Sequence, residues 1–201
     1  MKKWLPLIII GVLIFALVRW GININNTMVD MKGKAGISWA NVESSYQRRN
    51  DLIGNLVKTV QGAADFEKNT LTEVINARAK ATSTTIDAGN LTPQKMAAFQ
   101  QAQSGLTSAL SKLMVVVERY PDLKANQNFL QLQNQLEGTE NRINVERNRF
   151  NETTGNYNIY IQKIPNTLIA GFSGFEKMSL YASDKGADKA PDVNFDFNKK
   201  E

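Results

Sequence analysis

Hydrophobic positions along this chain fall into two regimes. Trp4–Val18 is an uninterrupted apolar run of fifteen residues without a charge, preceded by Lys2 and Lys3. After it, apolar residues recur at helical spacing among many polar ones. Trp39, Val42, Tyr46, Arg49, Ile53, Leu56, Val60, Ala63, Glu67, Thr70 and Val74 advance by alternating steps of three and four, the seam of a bundle-forming helix. That helix is expected to begin near Ile37 and to end in the Ala81–Thr85 stretch, with Gly62 as its candidate kink. A second helix is expected from Thr92, a suitable N-cap, with Pro93 in the first turn, to Tyr120-Pro121. In the third, Phe129, Leu136, Ile143, Phe150, Tyr157 and Ile164 recur every seven residues, and Pro165 ends it. Sustained heptads call for long, nearly antiparallel packing, and the short connections make neighbours antiparallel.

The expected fold is all-α: an N-terminal transmembrane helix followed by an elongated up-and-down antiparallel helical bundle. It has three long helices, or four if the first breaks near Gly62 or the anchor extends into the bundle. The division is a membrane anchor over residues 1–26, a bundle over 27–181 and a flexible C-terminal tail over 182–201. That tail is rich in Asp, Lys, Gly and Asn and reads as disordered. Within it the alternating Val193, Phe195 and Phe197 can form a short strand or docking peptide, but a solvated tail is the better fit.

Fifteen apolar residues fall short of the roughly 20 that cross a bilayer. A cleaved secretory signal competes, but Ala16-Leu17-Val18-Arg19 is a poor cleavage site. The anchor reading continues the helix through Trp20, Gly21, Ile22 and Ile24, with Arg19 snorkelling to the head groups. Trp4 and Trp20 then mark the two interfaces, about 24 Å apart along a helix. Lys2 and Lys3, hard against the span, favour a cytoplasmic N-terminus; Arg19, Lys32 and Lys34 oppose them from further away. The balance places the bundle outside the cytoplasm, tethered to the cell membrane by a single span.

Charge and composition narrow the function. Of the net charge of +5, residues 1–34 hold +4, with five cations against Asp30 alone, so the remainder carries only +1. A nucleic-acid binder would concentrate cations on its folded domain; here they suit anionic lipid. With neither cysteine nor histidine, there is no disulfide and no thiolate or imidazole ligand, and the commonest general base is missing. No phosphate loop, dinucleotide fingerprint or nucleophile elbow occurs. No catalytic, cofactor-binding or metal-binding residue is expected.

Two charges lie on the first seam. Arg49 and Glu67 are 18 residues apart, roughly 27 Å along a helix, and cannot pair with each other. If the first and third helices run parallel, Arg49 meets Glu137 and Glu140, and Glu67 meets Arg147 and Arg149. Two ionic layers linking these helices are therefore expected, with register selection rather than ion transfer as their role. Further on, Leu168, Ile169, Phe172, Phe175, Met178, Leu180 and Tyr181 form an amphipathic segment. It can cap the bundle, which is the better fit, or rest on the membrane surface.

Arg48-Arg49-Asn50-Asp51-Leu52-Ile53-Gly54-Asn55-Leu56-Val57, with Trp39 before and Ala77-Arg78 after, resembles a signature of the bacterial LemA family. So does Tyr120-Pro121-Asp122-Leu123-Lys124-Ala125-Asn126-Gln127-Asn128-Phe129, continued by Leu136-Glu137-Gly138-Thr139-Glu140-Asn141-Arg142-Ile143, Arg149-Phe150-Asn151, Tyr157-Asn158 and Pro165-Asn166-Thr167-Leu168. The likeness runs from about Asn23 to Tyr181. It implies one N-terminal anchor and an up-and-down helical bundle, and little about activity. Family descriptions often place the short N-terminus outside, opposite to what the lysines favour. Gly54 departs from the proline more usual there, which removes a fixed kink.

The resulting expectation is a non-enzymatic membrane-anchored scaffold or adaptor. Its partners are membrane lipid, through Trp4, Arg19 and Trp20, and an unidentified protein, with neither nucleic acid nor a small-molecule substrate. The alternative is an accessory factor in envelope stress or signalling, acting with a membrane protease or transporter. Arg49, Asn55, Glu67, Asn126, Asn128, Glu137, Glu140 and Asn141 are the polar-network candidates, structural or interacting.

Overall fold

The structure is a computed structural model that describes residues 4–62 and 67–182. Lys2, Lys3, Ala63 and the tail motif at 193–197 lie outside the described residues. Among the described residues there are six helices, in chain order: α1 Leu5–Gln61, α2 Lys68–Ser83, α3 Pro93–Val117, α4 Pro121–Lys124, α5 Gln127–Gln162 and α6 Asn166–Ser173. Among the described residues there is no strand, and α1, α2, α3 and α5 make a four-helix bundle.

The apolar run and the first seam belong to one element. α1 continues for 57 residues without a break, through Arg19, Gly21, Gly33 and Gly54. Its first turns expose large apolar side chains from Leu7 to Val18, and full burial by other elements begins at Ile24 and Met28. By length and composition this helix can cross a membrane.

The expected long first helix instead ends at Gln61, and the chain resumes as α2 at Lys68. This reversal adds the fourth helix and inverts the direction of the later long helices. α2 runs back along α1, where the Arg78 Nε donates to the Asn50 carbonyl at 2.7 Å. A Cβ on Gly54 would stand 3.1 Å from that guanidinium, so glycine leaves the space in which Arg78 lies on the α1 backbone. α3 returns parallel to α1, with Phe99 against both Trp39 and Tyr46. α5 then runs antiparallel to α1, since Trp39 meets Phe150, Ser38 meets Thr153 and Arg49 meets Glu140. The expected parallel pairing of the first and third long helices is thus wrong by one reversal.

The caps follow local chemistry. The Thr92 hydroxyl accepts from the Lys95 amide, and Pro93 opens α3. The Asn126 side chain accepts from the amides of Asn128 and Phe129 at 2.9 and 3.2 Å, starting α5. The α5 heptad Phe129, Leu136, Ile143, Phe150 and Tyr157 is buried. Its expected last member, Ile164, is not, because α5 has ended at Gln162.

The core has two apolar clusters. One, nearer the N-terminal run, gathers around Trp39, Tyr46, Phe99, Phe150 and Tyr157. The other, at the far end, gathers around Ile53, Leu56, Val74, Leu106 and Phe129. Trp39 is fully buried, and its Nε1–H donates to the Ile86 carbonyl at 3.1 Å, so the α2–α3 connection satisfies its one polar atom.

Candidate functional site

A polar layer lies between the two clusters. Arg49 is only 4% exposed. Its guanidinium donates to Glu140 Oε2 at 3.0 Å, Gln103 Oε1 at 2.6 Å and the Thr107 hydroxyl at 3.4 Å, and it stacks 4.9 Å from the centre of the Tyr46 ring. Gln103, itself buried, also reaches the Ala81 carbonyl at 3.4 Å. One residue of α1 is therefore tied to α3 and α5, and through Gln103 to α2. Burying a cation is costly unless it is paired and hydrogen-bonded. Here the carboxylate is half-exposed on the solvent side and the Gln103 acceptor lies inside.

The other network candidates do not converge on this layer. Glu137 is exposed and Glu140 alone meets Arg49. Glu67 is not on a seam: it precedes α2, is exposed, and pairs with Arg119 at 2.9 Å. The expected second layer with Arg147 and Arg149 therefore does not form, because the reversal after Gln61 carries Glu67 away from α5. Arg149 lies 3.7 Å from Glu146, and Arg147 stacks 4.0 Å from the centre of the Tyr181 ring. Asn126 is a helix cap, while Asn128 and Asn141 are exposed. Asn55 is also exposed, beside Arg48, Asp51 and Arg142 in an open groove of about 490 Å³. Trp4, Arg19 and Trp20 all lie exposed on the N-terminal part of α1.

A second arrangement involves the segment expected to cap the bundle: Met178 and Tyr181 are buried, as a cap requires, but the way the segment is held had no sequence expectation behind it. Residues 175–182 run over α5 without regular secondary structure and are held by side chains that grip backbone. Asn158 donates to the Met178 carbonyl and accepts from the Met178 amide, both at 2.9 Å. Asn151 does the same for Tyr181, at 2.9 and 2.8 Å. The two asparagines are seven residues apart, about 10.5 Å of helix, and the gripped residues are three apart, about 10 Å of extended chain. The two repeats match. The Tyr157 hydroxyl donates to the Glu176 carbonyl, and the Ser179 amide donates to the Leu91 carbonyl, fixing the strap to the α2–α3 connection.

The strap delivers Tyr181 to the core, where its hydroxyl meets that of Tyr46 at 2.7 Å. Burial, with the Tyr181 hydroxyl adding to it, pushes the Tyr46 phenol well above its ordinary range. Burial also raises Tyr157. Both stay protonated near neutral pH, so these phenols act as hydrogen-bonding groups of the core. Among the described residues no three acidic side chains gather as a metal site would require.

An apolar helix that passes without a break into an antiparallel four-helix bundle, pinned at mid-height by a buried arginine and closed by a strap, defines a single-span, membrane-associated helical protein. The chain belongs to the LemA family, which matches residues 38–195. It is 29% identical over 187 residues to magnetosome protein MamQ 2 of Paramagnetospirillum magneticum, covering 83% of this chain and 67% of that one. To magnetosome protein MamQ of Magnetospirillum gryphiswaldense it is 28% identical over the same shares. It is 24% identical over 140 residues to the protein LemA of Metamycoplasma hominis, covering 70% of this chain and 58% of that one. None of these names designates an enzyme.

Proposed function

We propose that this protein is a non-enzymatic, membrane-anchored scaffold that presents its bundle to a protein partner outside the cytoplasm. The observation that carries the reading is the continuity of α1: the helix that exposes apolar residues from Leu7 to Val18 is the one that supplies the bundle's central seam. Such an element fixes a rigid body to a bilayer. The buried charge adds support, because the Nη1 and Nη2 of Arg49 donate to Glu140, Gln103 and Thr107 within the protein, as a register-setting layer does. The groove beside Asn55 is open and lined mainly by polar side chains, Gln47, Arg48, Asp51 and Arg142 among them, unlike the concave, mostly apolar pocket of a small-molecule site. The names of the MamQ relatives designate a place in the cell and no reaction, which agrees with a structural role.

On this reading, exposed apolar residues on the outer surface of the bundle are the positions to test for partner docking. Val145 and Ile159 are exposed and two heptads apart on α5, and Val115 is exposed on α3. Photo-crosslinking amino acids at these three positions of the full-length protein, irradiated in cells, are expected to give a discrete adduct to another protein at one or more of them. Failure of all three to form an adduct, with the protein present in the membrane, would count against the scaffold.

A further inference from the structure

α6 turns one face away from the protein. Leu168 and Phe172, one turn apart on α6, are 66% and 97% exposed, and Ile164, in the turn before the helix, is 86% exposed, so the α6 stripe and the residue leading into it are in contact with solvent. The opposite face is packed: Asn166 and Ala170 are buried, and Ile169 lies against the core. α6 sits at a defined height. The Cδ1 of Ile169 is 3.8 Å from the position of a Cβ on Gly21, and Gly21 directly follows Trp20, where the exposed apolar part of α1 gives way to the bundle. Gly174, at φ 70°, ends α6 in the left-handed conformation and turns the chain into the strap.

Exposed charges around the stripe are mainly positive. Lys163 precedes it, Lys177 comes after it and Arg19 lies on α1 two residues before Gly21, with Glu176 the one acid among the described residues from 163 to 182. Val18, Trp20 and Ile22 continue the exposed apolar surface on α1 itself. An apolar stripe flanked by cations is the make-up of a helix that lies in the head-group layer, and here it stands where the span of α1 leaves the bilayer.

We infer that α6 is a second membrane contact, an interfacial helix that seats Ile164, Leu168 and Phe172 at the boundary of head groups and acyl chains beside the exit of α1. The inference rests on α1 spanning the membrane. A lipid surface is the occupant because insertion of α1 brings the bilayer to the height of Gly21, continuous with the exposed surface of Val18, Trp20 and Ile22. The bundle is then held at two places, one through the bilayer and one on it.

The chain has no cysteine, so single cysteines can carry a nitroxide at chosen sites. Full-length F172C, L168C, F15C and V115C are spin-labelled in vesicles of phosphatidylcholine and phosphatidylglycerol. Collisions with oxygen and with a water-soluble nickel chelate are then compared. F15C reports the span and V115C the far end of the bundle. Expected is a shift of the oxygen-to-nickel ratio at F172C and L168C away from the V115C value towards that of F15C. If F15C is in the bilayer while F172C and L168C are as open to nickel as V115C, the interfacial helix is overturned and the anchor stands. If F172C and L168C are shielded from both reagents, protein covers the stripe and the inference is equally overturned. If F15C itself is open to nickel, the anchor fails and α6 loses its basis with it.

Discussion

Arg49 shows what one residue does to a bundle. It sits inside the core with its carboxylate partner half in solvent, and the two sides of the pair are not equivalent. Removing Glu140 leaves a buried cation without a counter-charge, whereas removing Arg49 leaves a carboxylate that water can reach. E140A is therefore expected to cost about 3 kcal/mol or more. R49M/Q103L, which replaces the interior polar pair by apolar volume, is expected to stay within about 1 kcal/mol of the natural protein. Urea unfolding of both in the same detergent checks this, and equal losses would show that the asymmetry is not as described. The charge on the seam was legible in the sequence, and so was Glu140. Gln103 was not, because a glutamine among Gln100, Gln101 and Gln103 carries no sign of which one points inward. The Arg49–Glu140 pair was expected from a parallel register and is found in an antiparallel one. Both residues lie near the middle of the contact between α1 and α5, where the two registers differ least.

At the scale of elements, heptads and caps were the readable part. The α5 seam keeps its period as far as Tyr157, and α3 starts at its Thr-Pro signal. The break after Gln61 was weakly written: one glycine in a helix is tolerated at about 1 kcal/mol, and the three-four pattern continues across it. Only the character of the seam changes, from Ile53, Leu56 and Val60 to Ala63, Glu67 and Thr70, a loss of apolar content at the turn. That the segment around Met178 and Tyr181 caps the bundle was legible, but the grip that holds it was not, for a different reason. Asn151 and Asn158 bind main chain, so the bound segment carries no complementary side-chain pattern. Each grip satisfies one amide and one carbonyl; losing it leaves part-buried backbone groups unpaired, at about 1–3 kcal/mol. N151A/N158A is expected to expose the segment beyond Gly174, read as faster tryptic cleavage after Lys177 while cleavage within the bundle keeps its rate. Unchanged cleavage at Lys177 would mean that the packing of Met178 and Tyr181 alone holds the strap.

Taken whole, the molecule is a span, a rod and a bundle built on one helix. The class of fold was evident from the apolar run and the periodicities after it, but the direction of α5 depended on counting one more reversal. Orientation in the membrane rests on Lys2 and Lys3 set against Arg19, Lys32 and Lys34. With the bundle outside the cytoplasm, a cysteine at the exposed far-end position Val115 reacts with a membrane-impermeant maleimide in intact cells, with any outer membrane permeabilised. Labelling only after lysis would reverse the orientation and move the search for a partner to the cytoplasm.

The unbroken course of α1 also has a mechanical consequence. From Trp20 to Gln61 the helix extends for about 60 Å, with no loop to absorb a change in angle. A rod without a joint transmits any tilt of the span in full. A change of about 10° at the membrane swings the far end sideways by about 10 Å. The turn between α1 and α2 is thus the pointer of a lever whose short arm lies in the lipid, and its position reads out the angle at which the membrane holds the span.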